Sequence, residues 1–113
     1  GNAFGYRAIG GMYHFAKGFA EDYKEAAKWY RIAAGQEDAF AQALLGYMYE
    51  AGHGVLQDHK IAHMWYNIAT ANGEKNSRTD RDNLAQKMTP EDISKAQHMA
   101  KKCMESDYKE CGS

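Results

Sequence analysis

Neither sign of charge dominates this sequence: 14 Lys and Arg stand against 15 Asp and Glu, a formal net charge of -1 over 113 residues. No global field favours DNA, RNA or an anionic lipid surface, so nucleic acid is not the expected partner. Long apolar runs are missing too. Lys, Asp, Gln or Glu interrupt them every few residues, none approaches the ~20 residues that span a bilayer, and membrane insertion is not expected. There is no glycine-rich phosphate loop, nucleophile elbow or triad spacing, and no CxxC or zinc arrangement. No catalytic residue, metal site or other cofactor is expected. No signal peptide is visible, and because the chain starts inside a repeat at Gly1-Asn2-Ala3, that absence says nothing about export.

What is present is apolar and aromatic material, 44% and 12% of residues, with eight Tyr and two Trp. That is ample for a packed interior and argues against disorder. The material is arranged twice over. Shifted by about 36 positions, a spacing typical of helical-hairpin arrays, Gly10, Met12, Tyr13, Gly18, Asp22, Ala26, Trp29, Tyr30 and Ala33 fall on Gly46, Met48, Tyr49, Gly54, Asp58, Ala62, Trp65, Tyr66 and Ala69 without a gap.

The expected organisation is one all-α domain over 1–113, an α-α superhelix of antiparallel hairpins with about six helices. Repeat one covers 1–36, repeat two 37–73, capping helices 74–106 and a tail 107–113. Phe4, Ala8, Ile9, Met12 and Tyr13 predict a first helix from Ala3 to about Phe15. Gly5, Gly10 and Gly11 weaken it, for which close approach of a neighbouring helix would compensate. After a break at Gly18, Asp22 and Glu25 form a capping box for a helix from about Tyr23 to Ala34. The next helix runs from about Asp38 to Ala51. Gly52 and Gly54 then take positive φ angles, and Asp58 caps a helix from about His59 to Ala71. A half-exposed helix is expected from Glu74 to Met88. Thr89 caps the last, which begins at Pro90 with acids in its first turn and ends near Met104. Trp29 and Trp65 both read as core.

The string Leu45, Gly46, Met48, Tyr49, Gly52, Gly54, Val55, Asp58, Ala62, Trp65, Tyr66, Ala69 resembles the SEL-one-like repeat (SLR), a cousin of the tetratricopeptide repeat. The stretch from Arg81-Asp82 through Met88-Thr89-Pro90-Glu91 to Ala96-Gln97 resembles the C-terminal cap of bacterial members. Ala16 and Phe19 depart from the pattern. The resemblance implies a right-handed superhelix that acts as an adaptor for other proteins, usually without catalysis and in many bacterial cases exported.

In such arrays the first helix of each hairpin usually lines the concave side. Positions there that the core pattern does not claim are the candidate protein- or peptide-binding residues: Tyr6, Arg7, His14, Gln42, Tyr47 and Glu50. The face of the first helix with Phe4, Ile9 and Met12 is a second candidate surface, to pack on another copy of the chain, on residues preceding it or on a partner. The alternatives are a small secreted hydrolase or cell-wall-ligand binder, and the C-terminal structural end of a longer array.

Cys103 and Cys111 would lie ~12 Å apart on a continuous helix, beyond the ~7 Å reach of a disulfide. If they pair, the helix must stop, and Ser106-Asp107-Tyr108 is where it would. Pairing places the chain in the periplasm or outside the cell; the alternative is a half-buried Cys103 and a free Cys111 in the cytosol. His59 and His63 stand one helical turn apart but lack a third ligand, and His14, His53 and His98 read as surface residues.

Overall fold

A computed structural model describes residues 2–16 and 20–112. Six α-helices are present among them: α1 (Ala3–Ala16), α2 (Ala20–Ala34), α3 (Ala39–Ala51), α4 (His59–Ala71), α5 (Asn76–Ala85) and α6 (Pro90–Glu105). No described residue forms a strand. The expected hairpin solenoid is what the chain builds. Consecutive helices pack pairwise from α1 to α5, and α6 folds back onto α4.

The punctuation is local chemistry. Asp38 caps α3 by accepting from the amides of Phe40 at 3.0 Å and Ala41 at 3.4 Å. Asp58 caps α4 through Ile61 N, and Thr89 caps α6 through Asp92 N. Each satisfies amide donors that a helix start leaves without a partner. Gly52 (φ 75°) ends α3, and Gly54 (φ 76°) is pressed against the backbone of Tyr23, so that a Cβ there would run into the Tyr23 carbonyl. Gly18 lies outside the described residues.

Two expected boundaries move. Helix α2 starts at Ala20, so Asp22 lies inside the helix and does not precede it. An acid in the first turn is favoured by the same positive helix end that favours a cap, which makes the two hard to tell apart. Helix α5 is shorter than its expected span, because Lys87 and Met88 turn back to Leu84 O and Ala85 O in tighter bonds.

The first helix does not bury the face expected of it. Phe4, Ala8, Met12 and Tyr13 are exposed; the side against α2 carries Tyr6, Gly10 and His14. The ring of Tyr30 lies where a Cβ on Gly10 would be, 2.7 Å away, and Tyr66 does the same at Gly46, 2.6 Å away. The missing side chain admits the aromatic ring. At Gly5 nothing lies within 4 Å, so the close approach expected there is absent.

The core runs through Ala26, Tyr30 and Ala33 of α2, Leu45 and Met48 of α3, and Met64, Trp65 and Ile68 of α4. Trp65 is buried as expected, whereas Trp29 is half-buried and stacks on Tyr6 with ring centroids 5.9 Å apart. The Arg31 guanidinium lies 5.2 Å from the Trp65 ring centroid.

The tail completes the core. After α6, Asp107 (φ 56°) and Tyr108 (φ 66°) reverse the chain, and Cys103 and Cys111 form a disulfide with Cα atoms 4.3 Å apart. Tyr108 is thereby inserted among α2, α3 and α4. Its carbonyl accepts from Arg31 at 2.6 Å, and its hydroxyl accepts from Gln42 at 3.4 Å and Asn72 at 3.1 Å.

Candidate binding surface

Phe40, Leu44, Tyr47 and Ala51 recur along α3 at steps of four, three and four, and so share one side of the helix. Phe40 is 52% exposed and Tyr47 46% exposed. One repeat earlier, the same register of α1 carries Phe4, Ala8, Gly11 and Phe15, with Phe4 72% exposed. Aromatic surface at equivalent places in successive repeats is the kind of apolar patch that marks an interaction face.

At the N-terminal end of this face the Arg7 guanidinium lies 5.2 Å from the Phe4 ring centroid and 5.0 Å from that of Phe40. Its Nε donates to Asp38 Oδ2 at 2.8 Å, while Asp38 Oδ1 caps α3. One arginine therefore ties α1 to the start of α3 and holds two phenyl rings on the surface.

At the other end, α3, α4 and α5 enclose an open cleft of about 440 Å³, lined by Tyr47, Glu50, His59, Tyr66, Asp80 and Lys87. The Tyr66 hydroxyl donates to Glu50 Oε1 at 2.7 Å. Burial, and then the hydrogen bond to Glu50, raise the Tyr66 hydroxyl far above the ordinary phenol range. Partial burial, then the charges of Glu50 and Glu74, push the Asp80 carboxyl above its usual value. Neither Glu50 nor Asp80 takes part in an ion pair among the described residues.

In α1 the register position of Glu50 is held by His14. The expected surface role of His14 is corrected: it is 8% exposed, with Nδ1 3.0 Å from the Tyr30 hydroxyl. Burial and then the neighbouring His53 hold it below the ordinary histidine range, and burial pushes Tyr30 up to about 12. Gln42 is corrected likewise. It is fully buried, donating to Ala34 O at 3.0 Å and accepting from Asn72. Polar side chains on a helix look alike in sequence whether they face water or a buried carbonyl. Tyr6 braces Trp29, and Arg7 is committed to Asp38. Of the six candidates, only Tyr47 and Glu50 share the cleft.

His53 also departs from expectation, since it is half-buried with its ring stacked on Tyr23 at 4.6 Å. His63 is buried with Nδ1 3.1 Å from the Asn67 amide, and no group of three or more metal-ligating side chains occurs among the described residues. Sequence reasoning missed Phe40 and Asp80. The 36-residue offset carried from Gln42, Tyr47 and Glu50 leads to Arg78, Asn83 and Gln86, so it does not point to Asp80, which falls one repeat after Leu44.

The fold and this face define a class: an all-α hairpin solenoid whose first-of-pair helices present a shared surface. Residues 3–38 and 39–74 each match the Sel1 repeat, well over half of the chain, which therefore belongs to the Sel1 repeat family. Among solved structures it is similar to c5321, a protective antigen present in uropathogenic Escherichia coli strains that displays an SLR fold. The two share 26% identity at a TM-score of 0.85, over 94% of this chain and 24% of that one, so this chain spans 24% of that protein's length. No curated protein sequence matches significantly. Sel1 repeats in general mediate protein–protein interaction, and the family is typically a non-enzymatic scaffold.

Proposed function

We propose that this chain is a non-enzymatic binding module that receives a segment of another protein across the face formed by α1, α3 and α5. One observation carries this reading: exposed aromatic residues stand at register-equivalent positions of α1 and α3, and the same side of α3 opens into the cleft shared with α5. We also read the chain as exported. The Cys103–Cys111 disulfide supports an oxidising compartment.

The test is a photo-crosslinking amino acid placed at Tyr47 and, separately, at exposed Lys101 on α6, with the protein expressed in its native host. An adduct formed from position 47 and not from position 101 supports the face. Equal adducts from both positions reject it.

A second reading is favoured by the exposure of Met12, 69% against 0% for its repeat equivalent Met48. Met48 lies in the core that α2, α3 and α4 share, and a second copy of the chain would cover Met12. A monomer by sedimentation at high concentration would reject that self-association.

A further inference from the structure

We propose that the α3–α5 cleft takes an Arg or Lys side chain of the bound segment, and that an apolar residue of the same segment rests on the Phe4 and Phe40 rings. This deepens the binding-module reading and rests on it.

The argument begins with the change of chemistry across the face. At one register position the three helices carry Phe4, Phe40 and Asn76; at the next they carry Ala8, Leu44 and Asp80. At these two positions the surface passes from apolar at α1 to polar and acidic at α5, with Asn83 and Lys87 further along the same register, and a partner complementary to these two positions changes in the same direction. The charges at the two ends are also in opposite states. At the apolar end the cation, Arg7, is already neutralised by Asp38 at 2.8 Å. At the cleft, the Glu50 carboxylate accepts from the neutral Tyr66 hydroxyl, and neither it nor Asp80 has an ion-pair partner among the described residues. Lys87 lines the rim without coming within 4 Å of either carboxylate. Partial desolvation raises the affinity of Asp80 for a proton, and the fields of Glu50 and Glu74 add to it.

A guanidinium is suited to such a place. It can bridge carboxylates through its fork of donors, and the exposed ring of Tyr47 offers it a π face. The geometry also sets a spacing. Phe40 and Glu50 are ten residues apart on α3, about 15 Å at the helical rise, which an extended peptide covers in about four to five residues.

The experiment selects a random displayed peptide library on the native, oxidised protein and measures the enriched peptides by fluorescence polarisation. The expected peptides carry Arg or Lys about four to five residues from an aromatic or aliphatic residue. The Glu50→Gln, Asp80→Asn double variant weakens them about tenfold, and added salt does likewise. Replacing the basic residue by norleucine loses a similar factor, and combining the two changes loses little more. Phe40→Ala weakens the same peptides independently. Circular dichroism confirms that each variant is folded. Enriched peptides that lack a basic residue, or that ignore the carboxylate variant, yet lose affinity with Phe40→Ala, overturn this inference and leave the binding face standing. Peptides indifferent to both variants, or no enriched peptide at all, reject the binding face as well.

Discussion

Gly5 and Gly10 sit in the same helix and do different work. Space around Gly5 is open, so an added methyl group meets nothing and only the helical preference of alanine remains. Gly5→Ala is expected to raise stability by up to ~1 kcal/mol. Gly10 is overlain by the ring of Tyr30, and Gly10→Ala must displace an aromatic side chain that is itself fully buried. Its expected cost is roughly 1–3 kcal/mol. Urea unfolding of the two variants checks both signs, and a shift in the same direction for both would contradict the packing described at Gly10. The sequence offers two similar glycines, and only the neighbouring helix distinguishes them.

At the level of elements, the most informative is the C-terminal tail. It has no helical pattern, yet Tyr108 is 5% exposed and joins the polar groups of three helices. The disulfide holds it there. Closing an eight-residue separation restricts the unfolded chain by an amount worth roughly 2–3 kcal/mol. Loss of the tail would also take one hydrogen bond from each of the Gln42 and Asn72 side-chain amides, at about 0.5–1.5 kcal/mol for each bond lost. Reduction, or the double variant Cys103→Ala, Cys111→Ala, is therefore expected to lower the urea midpoint clearly, and Tyr108→Phe to lower it by less in the oxidised protein. An unchanged midpoint on reduction would show that the tail contributes nothing to the core. The stop at Ser106-Asp107-Tyr108 was readable, because the cysteine spacing demands it if a bridge forms. The destination of Tyr108 was not, since its partners lie 36 to 77 residues away.

For the whole molecule, the stack is secured at its second hairpin. Helix α4 is packed by α3, α5 and α6, whereas α1 rests chiefly on α2 and leaves Phe4, Met12 and Phe15 largely exposed. Opening free energies should follow this order. Native-state hydrogen exchange is expected to be slowest in α4 and fastest in α1, and equal protection across the six helices would argue against it.

Repetition and punctuation were determined by the sequence alone. The 36-residue offset is a property of the sequence itself, and the caps at Asp58 and Thr89 and the glycine stop at Gly52 act over a few residues, so their effect can be worked out without knowing what lies across the molecule. Which polar side chains stay in water was decided only by tertiary structure. Gln42 and Tyr47 are five residues apart on one helix, and the arrival of Tyr108 and Asn72 from distant segments is what buries the first while the second remains on the cleft. A buried polar group is tolerated only where distant partners satisfy it, and no local pattern in the sequence encodes where those partners will be.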